Sequence, residues 1–202
     1  PLILLYGGQT QIGMQASWSH TGRLVRPSRV LNEALTRSGV TEVDDFPTLL
    51  GYAAGFDYLS QFPGAKRRVA VATTSGAIGV VLADHIARAG LEIALLGDGT
   101  IESIVTAGLA GSEFSASEQI DLELPGEQLG LTRAVCECID ILSRDADVDV
   151  IFLALAALGH FADLDPLAVA QACRGSAKPV FVWPYGRDDL KKEWREGFGE
   201  AL

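Results

Sequence analysis

Arg68-Val69-Ala70-Val71-Ala72-Thr73-Thr74-Ser75-Gly76-Ala77-Ile78-Gly79-Val80 is the stretch whose reading decides the fold. Its Val- and Ala-rich start, Arg68–Thr73, reads as a strand. Small hydroxylated residues and a glycine then read as a turn, and Gly76–Ala89 as a helix stopping at Gly90. The alternation continues toward the C-terminus. Leu91–Leu96 reads as a strand, Thr100–Gly108 as a helix and residues 111–127 as irregular. Leu129–Arg144 reads as a helix with Val135, Ile139 and Leu142 at helical spacing. Val148–Ala154 follows as a strand, Asp165–Cys173 as a helix, Pro179–Trp183 as a strand, and a polar helix runs on from Asp188. Strands alternating with helices of about 10–15 residues imply a parallel sheet covered on both faces.

The segment before it is shorter. Residues 2–6 read as a buried strand, four aliphatics in a row before Gly7-Gly8. Residues 9–22 are small and polar, a loop with at most one turn of helix. From Ser28, Val30, Leu31, Ala34 and Leu35 have helical spacing up to Gly39. Val40–Val43 is a short strand. Asp44-Asp45 then caps a helix with Phe46, Leu49, Leu50, Ala53, Ala54 and Leu59 on its apolar side. Pro63-Gly64 and the basic run Lys66-Arg67-Arg68 read as part of a linker. The expected organisation is α/β: two flavodoxin-like three-layer α/β/α units with parallel sheets, the first incomplete. The first spans 1–62, a linker 63–67, and the second 68–202. Pro1 stands inside an apolar strand-like run, as expected of a fragment cut from a longer polypeptide.

Composition bounds the chemistry. The chain has 202 residues, 48% hydrophobic and 21% charged, with a net charge of −10. That sign argues against nucleic acid as a partner, because phosphate backbones need basic surface. It leaves room for a small anion, which backbone N–H groups at a helix N-terminus hold locally. Cys136, Cys138 and Cys173 make no disulfide framework, and Cys136-x-Cys138 has the wrong spacing for a zinc pair, so reduced, buried thiols are expected. No apolar run reaches the ~18 residues of a membrane span and no signal peptide is visible, so a cytoplasmic location is expected.

Two places fit the rule that ligands of parallel α/β sheets sit at strand carboxyl ends. The first is Ala16-Ser17-Trp18-Ser19-His20-Thr21-Gly22, read as a polar loop. Imidazole is a competent nucleophile near neutral pH. Ser17, Ser19 and Thr21 offer hydroxyls, and Gly22 lets the backbone approach closely. The plainer reading is a surface histidine in a polar loop. The second is the turn Thr73–Val80. It lacks both G-x-G-x-x-G and a Walker lysine, so neither a dinucleotide nor a P-loop nucleotide site is supported. A helix N-terminus with spare N–H groups remains, and close strand–helix packing is the plainer account. His85 is expected on a helix surface, and His160 near the sheet's carboxyl edge. No G-x-S-x-G elbow and no metal-ligand set is present. Capping accounts for Asp44-Asp45 and Asp188-Asp189, and the Asp145–Asp149 cluster reads as a solvated turn.

Taken in order, these residues resemble the NDP-forming acyl-CoA synthetases, relatives of the succinyl-CoA synthetase subunits. The resemblance rests on Ala16–Gly22, Ala34, Gly39-Val40 and Val43-Asp44-Asp45. It continues through Val69–Val80, Ala83-Asp84, Ala89-Gly90-Leu91, Val148–Ile151 and Lys178–Val182. It covers nearly the whole chain. It implies a ligase acting through a phosphohistidine: acyl-CoA, phosphate and NDP are interconverted with acid, CoA and NTP. His20 stands at the phosphohistidine position. Ser19, Thr21 and Gly22, with Ser75, Gly76 and Ala77 of the second unit, stand where the family holds the phosphate.

The sequence also departs from the family pattern. Gly8-Gln9-Thr10 replaces Gly-Arg-Thr. Thr74-Ser75-Gly76-Ala77-Ile78-Gly79 replaces Asn-Ala-Gly-Gly-Pro-Gly, and Glu118-Gln119 replaces Asn-Pro. The resemblance further implies a CoA-binding domain, an orienting glutamate and an ATP-grasp domain outside this chain, in cis or on another subunit. CoA and Mg-nucleotide would bind there, only phosphate would bind here, and the isolated fragment would be inactive. The alternative it allows is a non-catalytic acyl-CoA-sensing domain, for example in a protein acyltransferase. Homo-oligomerisation is left open.

Overall fold

The computed structural model describes residues 2–21, 33–35, 37–64, 66–116, 119–161 and 164–201. It divides into two compact units, Pro1–Pro63 and Gly64–Leu202.

The first unit is a two-stranded parallel sheet with helices. β1 (Ile3–Leu5) pairs with β2 (Thr41–Val43) in the register Ile3↔Thr41 to Leu5↔Val43. β1 was expected to be buried, but Ile3, Leu4 and Leu5 are only half-buried, as a sheet this narrow allows. A correction falls on residues 9–22. Within them Gln11–Thr21 is a helix, α1, rather than a loop, and Gly22 lies outside the described residues. Thr10 closes its first turn: Gly13 N donates to Thr10 Oγ1 at 3.1 Å and Met14 N to the Thr10 carbonyl at 2.8 Å. Gln11, Met14, Gln15 and Ala16 are good helix formers, but no apolar stripe marks them as one. The start of the helix expected from Ser28, with Val30 and Leu31, lies outside the described residues; 33–35 and 37 are helical. α2 (Phe46–Ser60) is capped by Asp45, whose carboxylate accepts from Thr48 N at 2.7 Å. Nothing on α2 is buried, and Phe46, Leu50 and Tyr52 are exposed.

The second unit is built on β3 (Arg68–Thr73), β4 (Glu92–Ile93), β5 (Ile120–Asp121), β6 (Val150–Ala157) and β7 (Val180–Gly186). The order is β4-β3-β6-β7, with β5 also on β3, and every pairing is parallel. The chain starts at an inner strand, steps out to β4 and returns to β6 on the other side of β3. The carboxyl ends of β3 and β6 therefore flank the point where the strand order reverses. Strand alternation sorts the side chains between two cores. Val69, Val71 and Val150 pack with Ile86 of α3 (Gly76–Arg88). Ala70, Ala72, Ile151, Leu153 and Leu155 face the larger core. That core is filled by α4 (Asp98–Thr106), α6 (Leu131–Ser143), α7 (Pro166–Gly175) and α8 (Asp188–Ala201). Val135, Ile139 and Leu142 are almost fully buried there, each worth about 1.5–3 kcal/mol.

Two more expectations are corrected here. Residues 111–127 hold β5 and the start of α5 (Glu123–Leu129). Pro125 and Gly126 read as breakers, yet Pro125 falls in the first helical turn, where no N–H is needed. Gly126 lies tightly under the core, where a Cβ would come within 3.1 Å of both Leu131 and Phe161. Nor is Asp145–Asp149 a solvated turn. Asp145 is buried and accepts from Gly97 N at 3.0 Å, and Asp149 clasps Arg68 at 2.9 Å.

Candidate functional site at the carboxyl edge of the second sheet

The turn between β3 and α3 is held from below by two buried threonines. Thr74 N donates to the Ala154 carbonyl at 3.1 Å, and Thr74 Oγ1 accepts from Ala156 N at 2.7 Å. The same oxygen lies 3.4 Å from the Tyr185 hydroxyl. Thr73 Oγ1 accepts from Ser75 N at 3.2 Å, and the Thr73 carbonyl accepts from Leu122 N at 2.7 Å. The turn is thus clamped to β5, β6 and β7.

Above this clamp the helix start is open. Ser75 is the N-cap of α3, in extended conformation, but its side chain makes no capping bond. α4, α5 and α6 likewise start without a side-chain capping bond, whereas three other helix starts are closed. Thr10 closes α1 and Asp45 closes α2, while Asp165 closes α7 by accepting from Leu167 N at 2.9 Å and Ala168 N at 3.1 Å. The first N–H groups of α3, on Gly76, Ala77 and Ile78, have no i−4 carbonyl within the helix and carry the positive end of its dipole. Such a terminus fits a phosphate-sized anion. Segment 119–121 borders it. Gly79 makes room for Gln119, whose side chain would lie 2.7–2.9 Å from any Cβ there. Asp121 Oδ2 lies 3.4 Å from where a Gly76 Cβ would sit, and Asp121 Oδ1 accepts from Glu123 N at 3.0 Å. Glu118 lies outside the described residues.

The sequence-derived residues fall as follows. Ser75 and Gly76 are half-buried and Ala77 is exposed at the α3 terminus. The backbones of His20 and Thr21 form the last turn of α1, not a loop, and Gly22 lies outside the described residues. Ser19 is exposed, and its hydroxyl donates to the Ala16 carbonyl at 2.8 Å. Gln9, standing where the family has arginine, donates from Nε2 to the Tyr6 carbonyl at 3.0 Å. His85 is exposed on α3. His160 is exposed in the turn Gly159–Phe161, directly beyond β6, with its ring 4.1 Å from that of Phe161. Burial pushes the Cys138 thiol up to about 12 and Cys173 to about 11, so neither is a thiolate nucleophile near neutral pH. Among the described residues no group of three or more His, Cys, Asp or Glu could hold a metal ion. No helix among them is long and apolar enough to cross a membrane. Sequence reasoning missed Tyr185 and Arg187 at this edge, because nothing local marks them.

Comparison with known proteins adds to this geometry. Residues 1–56 match the family model of the succinyl-CoA ligase like flavodoxin domain. Over 182 residues the chain is 28% identical to the alpha subunit of ADP-forming acetate–CoA ligase II from Pyrococcus furiosus, covering 89% of this chain and 37% of that one. Over 175 residues it is 28% identical to ADP-forming acetate–CoA ligase I from Archaeoglobus fulgidus, covering 87% of this chain and 24% of that one. The chain therefore spans well under half the length of these relatives. The fold matches the dinucleotide-forming acetyl-coenzyme A synthetase 1 of Ca. Korarchaeum cryptofilum, solved with phosphate and ADP. The TM-score is 0.69 at 21% identity, over 95% of this chain and 40% of that one.

Proposed function

We propose, from the premise that this chain is a relative of the NDP-forming acyl-CoA synthetases, that it is the phosphoryl-handling part of an acid–CoA ligase. In the proposed reaction an acyl phosphate gives its phosphoryl group to a ring nitrogen of His20. The P–O bond to the acid breaks as the N–P bond forms. The N–P bond then breaks as a terminal oxygen of NDP takes the group, yielding NTP. Phosphoryl transfer of this kind asks mainly for positioning and charge stabilisation.

The observation that carries the reading is the uncapped N-terminus of α3 at Ser75-Gly76-Ala77, clamped by Thr73 and Thr74 and presented at the strand-order reversal. His20 supports it by its place in the family pattern. It lies at the C-terminal end of α1, where the helix dipole favours cations. A phosphate carried there gains nothing from its own helix dipole. CoA and Mg-nucleotide, when bound, supply the thiol and the phosphoryl acceptor. Nothing at the α3 turn suits either, since it has no Walker lysine and no dinucleotide glycine pattern. We assign both to partner domains in cis or on another subunit, in keeping with the share of the relatives that this chain spans.

One observation favours the second reading, a sensor of acyl-CoA without turnover. Gln9 spends its amide on the Tyr6 carbonyl and offers no guanidinium. The two readings part on phosphorylation. The native protein, purified with its partners and incubated with Mg-ATP, should gain an acid-labile, base-stable phosphate that His20→Ala abolishes. Labelling of the His20→Ala variant at the wild-type level would sink the phosphohistidine. An intact, unlabelled wild type would favour the sensor.

A further inference from the structure

We draw no further inference here: the strongest candidate, the apolar surface patch of α2 in the first unit, where Phe46, Leu50 and Tyr52 are exposed, carries nothing because nothing in the structure shows what covers it.

Discussion

Arg68 at the start of β3 and Thr73–Ala77 at its end belong to one strand and its turn, and opposite chemistry finishes the two ends. At the amino end, Arg68 donates to Asp149 at 2.9 Å, to Asp147 at 2.6 Å and to the Ala146 carbonyl at 2.9 Å. Asp149 in turn accepts from the backbone N–H groups of Arg67 and Arg68. Nearby, Asp145 takes the N–H of Gly97 before α4. At the carboxyl end the threonines satisfy the strand and the turn, but Ser75 makes no capping bond to α3. One edge spends its polar groups on the fold and the other keeps donors in reserve. An uncapped start is shared with α4, α5 and α6; what sets α3 apart is that it opens at the carboxyl edge of the sheet, where the strand order reverses.

The sharpest way to break this comparison is to close α3 as α7 is closed. Ser75→Asp should supply a capping carboxylate, raise the melting temperature modestly and weaken phosphate binding more than about tenfold, by occupying the N–H groups and adding like charge. Unchanged phosphate affinity, measured by calorimetry, would make the open terminus a packing detail.

The next effect belongs to the amino edge. Asp149→Asn should destabilise the second unit by about 1–3 kcal/mol at neutral pH, since Arg68 loses its main partner, and should leave phosphate affinity alone. Hydrogen bonds from Arg68 hold the Asp149 carboxyl well below the usual carboxylate range. A carboxylate with a depressed folded value adds stability that is complete above its unfolded value, near about 4, and is lost as pH falls toward the folded value. The gap between wild type and Asp149→Asn in urea melts should therefore be flat from about pH 7 to 5 and narrow below about pH 4. A gap that widened on acidification would refute the assignment.

The smallest effect tests the closed helix itself. Asp165→Ala removes the acceptor for Leu167 N and Ala168 N and should cost about 1 kcal/mol, seen as a lower thermal midpoint with no change in phosphate binding. A loss of phosphate affinity here would mean that the two helix starts are not independent.

Much of the architecture could be read from residue order. β3 and α3 were legible because Val69 and Val71 alternate with Ala70 and Ala72, and because a hydroxyl-rich turn with Gly76 separates a period of two from a helical one. α1 was not legible, since Gln11–Thr21 carries no apolar stripe and is held by Thr10 at its first turn. α5 was hidden by Pro125-Gly126, a pair that punctuates most chains but here sits in a first turn and under Phe161. For the site, the α3 turn was visible as a motif. His160 was placed at the sheet edge by counting past β6, whereas Tyr185 and Arg187 had no local signal. Their places depend on contacts with Thr74 and Ala157, which are distant in sequence.

By itself the sequence determined the parallel α/β class and the place of the Ser75-Gly76-Ala77 turn. These follow from periodicity, composition and local turn chemistry, which neighbouring residues carry among themselves. Only the tertiary structure decided which charges are spent and which are spare. Arg68 and Asp149 are 81 positions apart and meet because β3 and β6 are adjacent. Thr74 and Tyr185, 111 positions apart, likewise meet below the α3 turn only because the fold brings β3 and β7 to the same edge. Hydrogen bonds and ion pairs act over a few ångströms of space, and residue order alone does not say which distant segments will share it.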